Sequence, residues 1–216
     1  MKNIQLEVAR LIDNNIAVRR LLKEDLVNVR ALARKFLDDY KLDCSIEAVI
    51  SAIRRYDASS REKDYLPMIY KLLKNAKLST RMKLSSMLLR KNQFVREKLP
   101  KLFSMVDFEG GDTLRIFEVS KHIKIIIDEK LLASIKKIFR EADIVSIEND
   151  LSELDILYDA DITKTPGLFA TLSNELAANS ISIVDSMICY NEHIVIVLDK
   201  DTQKTFNVLF ALLHRS

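Results

Sequence analysis

Glycine and proline are scarce in this chain: three of each in 216 residues, beside two cysteines and no tryptophan. So little glycine leaves no phosphate-cradling Gly-rich loop and no strand–turn–helix elbow to present a nucleophile. Cys44 and Cys189 stand alone, without the paired spacing of a metal site or a disulfide framework, and read as small apolar residues. No apolar run reaches the roughly 18 residues that a membrane helix needs, and the polar start Met1–Glu7 does not read as a signal peptide. A soluble protein of a reducing, cytoplasmic compartment is expected. His122, His193 and His214 are far apart, and no carboxylate pair clusters. The sequence therefore predicts no enzyme, no cofactor and no metal.

Where proline and glycine do meet, the pattern is informative. Leu154–Tyr158 reads as a strand, then Thr163–Lys164–Thr165–Pro166–Gly167 leads into Leu168, Phe169, Leu172 and Leu176 at helical spacing. Proline fixes φ where a helix start needs no donor, and glycine permits close backbone approach. The unbonded N–H groups of a first helical turn point outward and suit a carboxylate or other anion. Asp159 and Asp161 flank this loop as turn residues or as partners for a ligand amine. Ile181–Cys189 and His193–Leu198 follow as two strands joined at Tyr190–Glu192. Asp199–Thr202 then offers caps ahead of Phe206, Leu209, Phe210 and Leu213. The order β-α-β-β-α is five of the six elements of a ferredoxin-like unit.

These residues resemble the ACT domain, and most of all the ACT domains of the aspartokinase regulatory region. The resemblance covers about residues 151–214. It rests on Thr163-x-x-Pro166-Gly167-Leu168-Phe169, Leu172 through Ile183, and a strand–turn–strand ending at Leu198–Asp201. It implies a regulatory module that binds amino acids at paired interfaces. Carried over by position, ligand contacts fall to Thr163, Thr165, Pro166, Gly167 and Leu168, and to Asn179, Ser180, Ile181 and Ser182. The carboxylate is assigned to the N–H groups of Gly167 and Leu168. The family's Gly-Ile-Asn is Ser180–Ile181–Ser182 here, and the chain stops at Ser216, before a sixth element.

A second copy reads upstream. Leu78 to Leu88 alternates as a strand, and Gln93–Phe103 reads as a helix that Pro100 kinks or ends. Beyond Gly110–Gly111, Thr113–Val119 and His122–Ile127 read as strands. Leu131–Phe139 forms a helical stripe after Asp128, and Ile144–Ile147 a closing strand. This copy lacks a Pro-Gly loop and reads as a degenerate partner repeat; the resemblance to aspartokinase regulatory regions implies that two such units sit side by side and can share strands.

The first 76 residues contain no glycine. Asn28 caps a helix with Val29, Leu32, Ala33, Phe36 and Tyr40 on one face. Ser45 caps another with Ile46, Val49, Ile50, Ile53 and Tyr56 inward. This pair resembles a helix-turn-helix, with Ser51, Arg54 and Arg55 on the outer face of the recognition helix as DNA contacts. Residues 1–110 carry 23 Lys+Arg against 14 Asp+Glu, or +9, and residues 111–216 carry 11 against 17, or −6. A basic front and an acidic rear suit a nucleic-acid module joined to a regulatory one.

The expected architecture is therefore α+β. A helical, helix-turn-helix-like domain (1–76) precedes two ferredoxin-like βαββαβ units (77–150 and 151–216), the second without its last strand. The expected function is an amino-acid-responsive transcription regulator acting as a homodimer. The alternative is a ligand-free dimerisation module whose helical head binds another protein.

Overall fold

The computed structural model describes residues 3–57 and 65–214, which fall into two compact units meeting in sequence at Asp64–Tyr65. In the first unit, four helices run over Ile4–Asp13 (α1), Ile16–Lys23 (α2), Val29–Tyr40 (α3) and Ile46–Arg54 (α4). Each opens on a side-chain cap: Asn3, Asn15, Asn28 and Ser45 accept the N–H groups of Gln5, Val18, Ala31 and Ala48. Such a cap is worth about 1 kcal/mol, and four of them fix where these short helices begin. With no glycine to end it, α3 stops at Lys41, which takes the left-handed conformation itself at φ 50°. Val8, Ile12, Leu32, Ala33, Phe36, Val49, Ala52 and Ile53 form the core, and α4 packs on both α1 and α3.

The second unit begins with a helix, Leu66–Lys74 (α5), which lies within the 1–76 expected for the head. Its Ile69, Leu72 and Leu73 are buried among Leu154, Ile156, Leu168, Leu172 and Leu209. The boundary expected after residue 76 therefore falls earlier. Helical spacing shows that a face is apolar, not which core it joins.

Six strands follow: Lys77–Arg90 (β1), Leu114–Glu118 (β2), His122–Asp128 (β3), Ile144–Leu157 (β4), Asp185–Cys189 (β5) and Glu192–Leu198 (β6). They form one antiparallel sheet in the order β2-β3-β1-β4-β6-β5. The helices between them are Gln93–Lys98 (α6), Pro100–Phe103 (α7), Glu129–Lys136 (α8), Leu168–Ala178 (α9) and Thr202–Leu213 (α10). Pro100 ends the expected 93–103 helix and starts α7 at its first position. The strand expected over 181–189 begins only at Asp185, although the Val184 N–H still reaches Ile196 O at 2.8 Å.

Two sequence segments read as separate strands, 144–147 and 154–158, are one: β4 is continuous and 14 residues long, like β1. Each central strand bends at its middle, where Lys83 (φ 61°) and Asp150 (φ 54°) adopt left-handed backbone and the register shifts. The early part of β1 (77–81) pairs with the late part of β4 (153–157), while 86–89 pair with 144–148. Each half of the sheet thus has four strands, and the strand missing from residues 151–216 is supplied by the start of β1.

The bends curl the sheet. Four strand spacings separate β3 from β5, about 19 Å in a flat sheet, yet Lys124 Nζ lies 2.6 Å from Asp185 Oδ2. Inside the curl, Leu84, Ile126, Leu151, Ile194 and Ile196 form one core. On the outer faces, α6–α8 cover Met87, Leu89, Ile123, Ile125 and Ile127, and α5, α9 and α10 cover Leu154, Ile156, Val195 and Val197. The alternation of β3 and β6 sends odd and even positions into these different cores.

Candidate functional site

The loop from β4 to α9 is held by local bonds. Tyr158 N–H donates to Asn191 O (2.8 Å) and Ile162 N–H to Tyr190 O (2.9 Å), tying both ends of the crossing to the β5–β6 turn. Asp159 accepts from Asn75 Nδ2 at 2.8 Å, just beyond α5. Asp161 accepts both the N–H and the hydroxyl of Thr163, and these bonds hold its carboxyl below the ordinary carboxylate range. Both aspartates therefore act as turn residues here.

Gly167 caps α9 at φ 85°, a conformation that favours glycine, and a Cβ there would meet only Ile69 Cδ1, at 3.5 Å. Thr165 N–H donates to Ile162 O, Leu168 N–H reaches Thr165 O at 3.4 Å, and Gly167 O accepts from Thr171. The N–H groups of Gly167, Phe169 and Ala170 meet no acceptor among the described residues. Of the predicted Gly167–Leu168 pair, Gly167 N–H is open and Leu168 N–H is not, and Phe169 and Ala170 add two further open donors. Leu168 turns its side chain into the core, while Thr163, Pro166 and Gly167 stay exposed.

The other predicted ligand residues lie at the far end of α9. Eleven helical residues advance about 16 Å, so Thr163–Leu168 and Asn179–Ser182 do not meet around one small ligand within a single chain. Asn179 donates its side-chain amide back to Glu175 O (2.9 Å) and lines a cleft of about 290 Å³ between α9 and α10. Ser180 takes φ 56°, the left-handed position after a helix that glycine usually fills, with Ile181 N–H returning to Leu176 O. Ile181 is buried and Ser182 exposed.

Among the buried polar atoms without a hydrogen-bond partner are Tyr158 Oη, Thr165 Oγ1, Ser173 Oγ and His193 Nδ1. Tyr158, Thr165 and His193 are 2%, 8% and 1% exposed. His193 pairs in register with Ile156, two residues before Tyr158, and the Phe169 ring lies 5.6 Å from its own. Its Nε2 is 2.9 Å from Ser186 Oγ. Burial lowers the His193 pKa to about 4 and pushes the Tyr158 phenol upward. Sequence reading missed Tyr158 and took His193 for an ordinary strand residue. Its one usable signal was that Tyr158 shares the inward parity of Leu154 and Ile156.

In the head, Arg54 and Arg55 are exposed and Ser51 half-buried, but the two arginines stand at the C-terminal end of nine-residue α4. A recognition helix reads bases mainly through its N-terminal residues. Arg55 instead lines a cleft of about 430 Å³ with Asn3, Gln5, Leu6 and Ala9 of the α1 segment. Tyr56, beside it, donates to Asp13 Oδ1 at 2.5 Å. Residues 3–57 carry 10 Lys+Arg against 9 Asp+Glu, or +1. Residues 65–110, in the sheet unit, carry 10 against 3, or +7, so most of the basic surplus of the front half lies outside the head.

Among the described residues, no group of three or more His, Cys, Asp or Glu is placed to hold a metal ion, and no helix is long and apolar enough to cross a membrane.

No family model matches the chain, and no curated protein matches it. Solved structures do. Aspartate kinase from Clostridium acetobutylicum superposes at a TM-score of 0.52 with 14% identity, over 64% of this chain and 34% of that one. The regulatory subunit of aspartate kinase from Thermus flavus gives 0.52 at 10% identity, over 63% of this chain and 97% of that one. Aspartate kinase from Synechocystis gives 0.52 at 13% identity, over 63% and 26%. The chain spans about a third of the Clostridium enzyme, and the shared part has the extent of the separate Thermus flavus regulatory subunit. At these identities the likeness is one of fold: a curled antiparallel sheet with helices, as in aspartate kinase regulatory regions.

Proposed function

We propose that this chain is an amino-acid-responsive regulatory protein, in which two interlocked ACT-like units carry a ligand site and the four-helix head carries the output. The observation that supports it best is the start of α9. Three backbone donors stand open there beside a left-handed glycine and a buried, unpartnered threonine hydroxyl. A ligand carboxylate on Gly167, Phe169 and Ala170 N–H completes the helix terminus. The span of α9 requires that Asn179–Ser182 come from a second copy, which makes the working form a homodimer. Ligand binding acts on the head only through a difference in affinity between two packings of the paired units.

The test is calorimetry and thermal denaturation of the full chain against the twenty amino acids. A ligand at about 100 times its Kd adds roughly 2.7 kcal/mol. Gly167→Asp places a side chain on a left-handed residue and a second carboxylate at the donors; it abolishes binding and leaves the circular dichroism intact. Binding unchanged in that variant removes the loop from the site.

For the head, the small charge balance of residues 3–57 and the place of Arg55 in the α1–α4 cleft favour a protein partner over DNA. That is the second reading: an assembly module whose head binds protein. Ser180 at φ 56°, where the family pattern that this stretch resembles has glycine, adds to it. A DNA-reading head instead loses affinity and salt dependence together when Arg54 and Arg55 become alanine.

A further inference from the structure

The basic surplus of the sheet unit, 10 Lys+Arg against 3 Asp+Glu over residues 65–110, has no part in the α9 loop. We infer that the corner where β1 turns into α6 is an anion site, in which Lys91 and Arg96 bind the phosphate group of a small phosphate ester. Lys91 Nζ lies 2.8 Å and Arg96 Nη2 2.5 Å from the same atom, Oε1 of Glu118 at the end of β2. Two cations from different segments thus converge on one oxyanion, which is the geometry a phosphate oxygen needs. The corner is held by its own bonds: Lys91 N–H donates to Lys121 O at 3.1 Å, and Lys91 Nζ also reaches Val119 O at 3.2 Å. Bonds from Lys91 first, then Arg96, hold the Glu118 carboxyl below the ordinary carboxylate range, so it is fully charged at neutral pH.

Beside this pair lies a cavity of about 590 Å³, lined by Lys91, Asn92, Gln93, Arg96 and Glu97. The Lys91 and Arg96 side chains have eight N–H donors between them, and the bonds to Glu118 and Val119 use three. Acceptors are fewer. Glu97 takes the Gln93 amide at 2.8 Å, and Asn92 Oδ1 takes the Val95 N–H at 3.0 Å. Residues 90–98 carry four Lys+Arg against Glu97 alone, and Lys121 offsets Glu118. Of the four, Lys98 sits over the Phe94 ring at 5.1 Å and supplies field rather than a contact. Many donors, few acceptors and a positive field select an anion with several oxygens. A phosphate monoester, with two charges and three terminal oxygens, meets them better than a carboxylate. The volume is that of a small-molecule site and leaves room for the ester's organic part.

The experiment is calorimetry of the full chain with inorganic phosphate, glucose 6-phosphate and adenosine 5′-monophosphate, and with acetate as the carboxylate control. Phosphate should bind at least about tenfold more tightly than acetate. One ester should bind more tightly than phosphate itself, and which one does so tells a sugar from a nucleoside body. Arg96→Gln, at a side chain 57% exposed, should weaken phosphate at least about tenfold without disturbing the fold. Glu118→Gln keeps an oxygen for both cations and removes the negative charge beside them, so phosphate should bind at least about threefold more tightly. Gly167→Asp should leave phosphate binding unchanged, so the failure of this site and of the α9 loop are told apart. No binding of any phosphate compound, acetate as tight as phosphate, or no gain in Glu118→Gln overturns the inference. Binding of duplex DNA without binding of either ester also overturns it, in favour of a surface for polyanions.

Discussion

Glu153 is a charge with no exposed side-chain surface, placed inside the curl of the sheet. Arg115, from β2, grips it twice, at 2.9 and 3.2 Å, and Arg81 Nε lies 3.9 Å away. Three strand spacings separate β2 from β4, so this contact exists only because the sheet is curled. The corresponding residue of β1 is Ser86, also buried, so the internal repeat does not itself demand a charge. Replacing Glu153 by alanine removes the carboxylate and leaves Arg115 facing a low-dielectric interior. Breaking one side of a buried pair typically costs 3–5 kcal/mol. The Arg115 and Arg81 side chains keep 28% and 47% of their exposure and can recover some hydration, which points to the low end, about 3 kcal/mol. At roughly 2–4 °C per kcal/mol for a chain of this size, the midpoint falls by about 6–12 °C. Replacing Glu153 and Arg115 together by methionine leaves only the half-exposed Arg81 without its carboxylate and restores most of the loss. The assay is urea and thermal unfolding followed on the sheet unit's own transition. A Glu153→Ala midpoint within about 2 °C of wild type, or a double variant as weak as the single one, refutes the account of the curl as closed by a buried, paired charge.

Two further outcomes follow from backbone and titration. Ser180→Gly relieves a left-handed serine worth about 1–2 kcal/mol of strain, less up to about 1 kcal/mol for the freer unfolded chain; the net gain of up to about 1 kcal/mol raises the midpoint by roughly 2–4 °C, and a lower midpoint contradicts the φ of 56°. His193 keeps a pKa of about 4 against the ordinary 6.5. Because the folded state resists its proton, the unfolded chain binds it first, and stability falls as pH drops from about 6.5 towards 4. Asp155 opposes this at the acid end, since burial and then Glu192 and Glu153 raise its pKa and its protonation favours the fold. Urea midpoints from pH 7 to 5 should slope down in the wild type and flatten in His193→Gln, and equal slopes would assign the effect to other groups.

Period-two and period-3.6 patterns made most of the elements legible, because in this chain each strand face and helix stripe enters a different core. What failed did so for physical reasons. Glu148–Asn149–Asp150 interrupts the apolar alternation where one expected unit ends, yet it is the bend at which β4 passes from one half of the sheet to the other. A bend with a register shift is local backbone geometry, and hydropathy carries no trace of it. The place of α5 failed because an amphipathic helix carries no label for its partner. The charge asymmetry was real, but counting over 110 residues merged a nearly neutral head with the +7 of residues 65–110.

The site itself was half legible. A Pro-Gly pair in a chain with three of each marks a helix start that no other segment shares, and the structure gives Gly167 the backbone that only glycine takes easily. The separation of Thr163–Leu168 from Asn179–Ser182 was also within reach, since a run of eleven helical residues fixes it by length alone. That distance constrains the proposed function more than any side chain does. A ligand of amino-acid size that touches both segments must lie between two copies. In a two-fold pair, each copy then lends its loop to one site and its Asn179–Ser182 turn to the other. Ligand binding and pairing are in that case a single equilibrium: whatever tightens one tightens the other by the same factor.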